Sequence, residues 1–124
     1  MRLLRDTHEF LWWMEGSRAL GSLARAAIMD TENDVVVSVA SLWEMTIKLA
    51  LGKLRFPADL ESTLREQGFG VLPISFAHLR QLATLPPLHR DPFDRMLIAQ
   101  SRADGLAIAT GDRAFALYGA TIVW

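Results

Sequence analysis

Four acidic side chains are the residues of this sequence best suited to chemistry: Asp6, Glu44, Asp94 and Asp112. Asp6 closes the run Arg2-Leu3-Leu4-Arg5, which reads as a short first strand. Asp112 closes Thr110-Gly111-Asp112, directly after the apolar run Leu106 to Ala109. Both acids are therefore expected at the C-terminal tips of strands. Parallel strands bring those tips to one edge of a sheet, where open α/β folds bind ligands. Glu44 is expected in the second turn of the helix leaving the second strand, and Asp94 in the first turn of the helix before the fourth. Four carboxylates on one edge repel each other unless a cation compensates them. An all-oxygen set of this kind suits magnesium, with manganese as a substitute. Such an ion activates water and stabilises a phosphoryl transition state.

Each acid also has a plainer reading. Asp6 and Asp112 are residue types that form turns after strands. Glu44 precedes Lys48 by four residues, the favoured orientation of a helical ion pair. Asp94 suits the N-terminal turn of a helix, where acids are stabilised. Asp91 is assigned to helix capping. What favours a metal site is convergence, because four unrelated structural acids have no reason to share one sheet edge.

The elements that must position these acids follow from patterning. Phe10, Trp13 and Met14 give a first helix from His8 to Glu15, and Leu20, Leu23, Ala24, Ala27 and Ile28 give the apolar stripe of a second. Val35 to Val39 reads as a strand covered on both faces. Ser41 and Glu44 have the spacing of a capping box for the next helix. Pro57 suits the first turn of a helix running to Gln67. Val71 to Ile74 is a third strand, at an edge because Pro73 lacks an N–H. Ser75 starts another helix. Asp91-Pro92 starts one that runs to about Asp104 and stops at Gly105. Arg113 to Leu117 is a short helical turn, and Thr121 to Trp124 is a fifth strand. Strands alternating with helices predict one α/β domain over residues 1–124 with a parallel sheet, its first strand central.

Composition narrows the function classes. The chain has 124 residues, 51% of them hydrophobic, enough for one core. Cysteine is absent, which removes disulfides, thiolate metal sites and thiol nucleophiles. No apolar run reaches the length of a membrane span and none reads as a signal peptide, so a cytoplasmic protein is expected. A net charge of −1 does not suggest a nucleic-acid coat, although a local basic rim remains open. Ile47 stands where a phosphate loop ending at Gly52-Lys53 would need glycine. His8, His78 and His89 lack metal-site spacing. Trp13 is expected in the core, and Trp12 is a candidate for a partner surface. Arg90, Arg95 and Arg113 flank the acids, either as solvated charge or as contacts to a phosphate backbone.

Four blocks in order resemble the PIN domain, and more narrowly the VapC-type toxins of bacterial toxin–antitoxin pairs. They are Leu3-Leu4-Arg5-Asp6-Thr7-His8, Ser38-Val39-Ala40-Ser41-Leu42-Trp43-Glu44, His89-Arg90-Asp91-Pro92-Phe93-Asp94-Arg95-Met96-Leu97-Ile98-Ala99-Gln100 and Thr110-Gly111-Asp112. The resemblance implies a PIN-like three-layer α/β/α fold with a five-stranded parallel sheet. It also implies a magnesium-dependent endoribonuclease that leaves 5′-phosphate and 3′-hydroxyl ends. Carried over by motif, Asp6, Glu44, Asp94 and Asp112 hold the metal, with Thr7, Ser38 and Thr110 as supporting hydroxyls. A VapB-like antitoxin, an RNA substrate and a homodimer are implied as partners. The alternative is a catalytically inactive PIN-like module.

Arg5 departs from the family, which usually places an apolar residue at that point of the strand. A buried guanidinium needs a partner, because an unpaired buried charge is very costly. It is expected either to lie close to the acids and reduce their demand for metal, or to reach solvent.

Overall fold

A computed structural model of the chain describes residues 1–56 and 59–124. Its five-stranded sheet is parallel throughout. The strands are β1 (Arg2–Arg5), β2 (Asp34–Ser38), β3 (Gly70–Leu72), β4 (Ala107–Ala109) and β5 (Ile122–Val123). The order is β3-β2-β1-β4-β5, so β1 is central and β3, followed by Pro73, is an edge strand. Register aligns Arg5 with Val37 on one side and Ala109 on the other, which brings the three central strand ends level. The helices are α1 (Thr7–Glu15), α2 (Ser22–Met29), α3 (Val39–Ala50), α4 (Leu60–Gln67), α5 (Phe76–Thr84) and α6 (Pro92–Asp104), with a 3₁₀ segment at Arg113–Tyr118. Pro57, expected to open α4, lies outside the described residues; the helix is capped by Asp59, whose carboxylate accepts from the Ser62 N–H.

Alternation along the strands sends successive side chains to opposite layers. Leu4, Val36 and Ile108 pack with Leu97, Ile98 and Phe115 on the face covered by α6. Leu3, Val35 and Ala107 pack with Leu20, Ala24 and Ile28 beneath α2, where Trp12 and Trp13 join them. A third cluster of Phe10, Val37, Met45 and Leu64 ties α1 to α3 and α4. Among the described residues, no helix is long and apolar enough to cross a membrane.

Two expectations are corrected. The capping box at Ser41 and Glu44 does not form, because β2 passes into α3 without a loop. Ser38 is the N-cap, its hydroxyl accepting from the Ala40 N–H at 3.0 Å, and Val39 is already helical. Ser41, inside the first turn, instead accepts from the Thr7 hydroxyl at 2.8 Å and fastens α3 to α1.

Arg5 neither reaches solvent nor joins the acid site. It is fully buried on the Leu3 side of the sheet, and Nε and Nη2 donate to Glu9 of α1 at 2.8 and 2.6 Å. The rings of Phe10, Trp13 and Phe69 surround the guanidinium, with centroids 4.9, 5.1 and 4.5 Å away. Burial raises the Glu9 pKa, and the two bonds from Arg5 oppose that rise. The Arg5 charge is thus matched within its own layer by a bidentate pair and three aromatic faces.

Candidate metal-binding active site

β1, β2 and β4 deliver the site. Asp6 follows β1 directly and takes the N-cap position of α1, yet its carboxylate makes no capping bond. Oδ2 instead accepts from the Thr110 hydroxyl at 3.0 Å, and Oδ1 is buried with no partner. Thr110 also accepts from the Asp112 N–H at 3.0 Å, so one hydroxyl orients the acids of two neighbouring strand ends. Asp112 is the most exposed of the four. Its Oδ1 caps the 3₁₀ segment through the Ala114 N–H, which leaves Oδ2 for the crevice.

Glu44 reaches the same edge from the second turn of α3. Oε2 lies 3.2 Å from Lys48 Nζ, while Oε1 is buried without a partner. The ion pair anticipated from spacing is present, and it uses one oxygen of the two. Asp94 comes from the first turn of α6. That turn is fixed by Asp91, whose Oδ1 accepts from the Phe93 and Asp94 N–H groups, and by Pro92 at the helix start.

Electrostatics joins the four acids. The Asp94 pKa is raised from an ordinary 3.8 to about 8, first by burial and then by the charges of Asp6, Asp91, Glu44 and Asp112. Burial also raises Asp6. Thr110 and His8 oppose that rise, and Asp112 adds to it. Such crowding of carboxylates is the pattern of a cation site. Fit is tested by the two buried, unpartnered oxygens, Asp6 Oδ1 and Glu44 Oε1. Buried acceptors are seldom left unpaired, and an oxygen-liganded divalent ion would satisfy both.

The histidine that spacing passed over belongs to this group. His89 Nε2 lies 3.1 Å from Asp94 Oδ2 and 3.2 Å from Asp112 Oδ2, and the ligating atoms of the three residues lie within 4.8 Å of one another. Nδ1 accepts from the Asp91 N–H at 3.1 Å, which assigns the ring proton to Nε2, where it bridges two carboxylates. Tyr118 and Arg95 hold the loop that carries His89. The Tyr118 hydroxyl accepts from the Leu88 and His89 N–H groups and donates to the Pro86 carbonyl. Arg95 donates to the Leu85 and Pro86 carbonyls, so its guanidinium is engaged behind the site. Arg90 and Arg113 are exposed. Of the remaining hydroxyls, Thr7 serves the α1–α3 contact and Ser38 serves as helix cap.

Known proteins match this arrangement at the level of family and fold. The model of the PIN domain matches residues 3–120. The crystal structure of FitAcB from Neisseria gonorrhoeae superposes with a TM-score of 0.64 at 19% identity, covering 97% of this chain and 95% of that one. VapBC2 from Rickettsia felis, solved bound to a DNA fragment from its promoter, gives 0.67 at 11% identity over 98% and 97%. No curated protein sequence matches the chain at a significant level. At such identities the structures speak to the fold, whereas the sequence model spans nearly the whole chain, and on that basis the protein belongs to the PIN-domain family.

Proposed function

We propose that the chain is a magnesium-dependent endoribonuclease, the VapC-like toxin of a toxin–antitoxin pair. One observation carries this: Asp6, Glu44 and Asp112 all raise the pKa of a buried Asp94, and two buried carboxylate oxygens in the group have no partner. Asp6, Asp94 and Asp112 would hold the ion, with Glu44 directly or through water. When bound, it supplies an activated water and neutralises charge on the phosphodiester. Asp94 would give up its proton to serve as a ligand. Thr110 keeps Asp6 and Asp112 aligned, as hydroxyls behind metal ligands do. Arg90 and Arg113, both exposed, would meet phosphates that the acidic crevice repels without metal.

The experiment is cleavage of a mixed cellular RNA pool by purified protein in magnesium, in manganese and in chelator, beside an identically prepared Asp94→Asn protein. Metal-dependent cutting by the parent alone is expected. Equal cutting by both proteins, or none by the parent, would overturn the assignment. In the latter case the second reading, an inactive PIN-like module, takes its place. The His89 bridge favours that reading, since it already ties Asp94 to Asp112 without metal. The same proposal carries a VapB-like antitoxin, a homodimer and a cytoplasmic setting. Light scattering on the purified chain checks the dimer.

A further inference from the structure

Beside the acids lies a cavity of about 340 Å³ lined by His8, Trp12, Gly111 and Trp124 together with Asp6 and Asp112. Its volume is that of a small-ligand pocket. Trp12 stands 5.7 Å from Trp124 at 55° and 6.3 Å from His8 at 48°, centroid to centroid. Neither pair is stacked face to face, so the rings do not use up one another's faces.

Two glycines show what seating Trp124 there requires. A Cβ on Gly111 would lie 2.8 Å from the indole. On Gly21 it would lie 2.4 Å from the Trp124 backbone and 2.8 Å from its side chain. Gly21 has φ −63°, open to any residue, so the need for glycine there comes from the close approach of Trp124, main chain and indole together, and not from the conformation of Gly21. An aromatic wall is thus held at the border of the acid cluster.

We propose that this cavity is a nucleobase subsite, which takes one unpaired base of the RNA whose neighbouring phosphate lies at the acids. The proposal rests on the ribonuclease reading and adds to it a place for one base against this chain's own aromatic wall. Among the described residues, the cavity lining carries no lysine or arginine to hold a phosphate, and three of its residues, His8, Trp12 and Trp124, present rings. Tilted indoles suit a flat π-system, and base–aromatic stacking tolerates any base. A base can enter only when it has left its own stack, which selects single-stranded segments. Asp6 and Asp112 belong to both the cavity and the metal group, so the occupant is next to the scissile bond.

The test uses the full-length parent protein with calcium in place of magnesium, so that the acids keep a divalent ion while turnover is slowed. The probes are a short unstructured oligoribonucleotide, its ribose-phosphate chain without bases, and its duplex. The single strand is expected to bind tightest and to quench tryptophan fluorescence. Trp12→Leu, compared with the parent, should weaken binding of the single strand about tenfold, within the range of one lost stack. It should leave the baseless chain unaffected, and Trp12→Phe should restore most of the difference. Gly111→Ala, which shifts the indole without removing it, should reduce the same preference and serves if a Trp124 variant does not fold. Equal loss for both probes, no loss, or no binding of any probe overturns the subsite. An unchanged RNA affinity would leave the cavity to a protein side chain. The two readings fail separately: an active parent that is indifferent to Trp12→Leu loses only the subsite, and base-selective binding by an inactive parent loses only the nuclease.

Discussion

Arg5 and Asp6 are chain neighbours, both buried, and their surroundings are opposite. Arg5 is enclosed with Glu9 and three aromatic rings; two short bonds answer its charge, while Nη1 is buried without a hydrogen-bond partner. Asp6 enters a group in which burial and then neighbouring carboxylates raise the pKa of Asp94, and two oxygens are left over. One turn of strand alternation separates a closed account of charge from an open one. The lesson is general: buried charge compensated from within holds a fold together, whereas buried charge of one sign is an unfinished site that needs something from solution.

The largest expected effect comes from breaking the closed pair. Glu9→Gln leaves the guanidinium buried without its counter-charge, and urea unfolding should show a loss of about 3–5 kcal/mol. Arg5→Met combined with Glu9→Leu should recover most of it, since an apolar replacement of a buried pair is often neutral. Retained stability in Glu9→Gln alone would mean that the rings, not the carboxylate, hold the arginine.

Next is the open group, where magnesium at a hundred times its Kd should add about 2.7 kcal/mol to the parent. Asp94→Asn should lose most of that increment while its metal-free form is as stable as the parent or more so. The same residue sets a pH dependence. A carboxyl whose pKa is raised from 3.8 to about 8 favours folding fully below pH 4, and that contribution is lost as pH rises through 8. Metal-free thermal stability should therefore fall across that window, with Asp94→Asn flattening the slope. Magnesium affinity should rise over the same range, because binding displaces the proton. Titrating thermal shift against pH, with and without metal, reads both.

The smallest effect sharpens the contrast from the edge. Thr110→Val removes the bond to Asp6 and the acceptor for the Asp112 N–H, and should cost about 1–3 kcal/mol of stability. Metal affinity should drop roughly 10–100-fold by calorimetry. A change in stability with no change in affinity would remove Thr110 from the site.

Much of this arrangement was legible in the chain. Strand tips at Asp6 and Asp112, the Asp91-Pro92 helix start and the central place of β1 all follow from local patterning and crossover rules, because each depends on neighbours in sequence. The residues that escaped were those whose partners are chosen in space. Glu9 meets Arg5 across a strand-to-helix junction, where helical i,i+4 spacing gives no warning. His89 precedes Asp94 by five residues across a loop–helix junction, a spacing that signals no metal site, and only the loop clamped by Tyr118 and Arg95 brings it between Asp94 and Asp112. Its one written signal was its place in the block from His89 to Gln100. Ser41 has the spacing of a cap with Glu44, but β2 runs straight into α3 with no loop between, and Ser38 takes the cap position.

That missing loop has a consequence for how the chain tolerates change. Ser38 ends β2 and Val39 begins α3, just as Arg5 and Thr7 flank a single residue between β1 and α1. A residue inserted at either junction could not be absorbed by slack. It would turn the helix about 100° and swing its side chains to another quarter of the cylinder. Length variation should therefore be harmless around 30–33 or 51–56 and ruinous at 6–7 and 38–39. A scan of single-residue insertions would trace the edge of the active site as a pair of sharp silences.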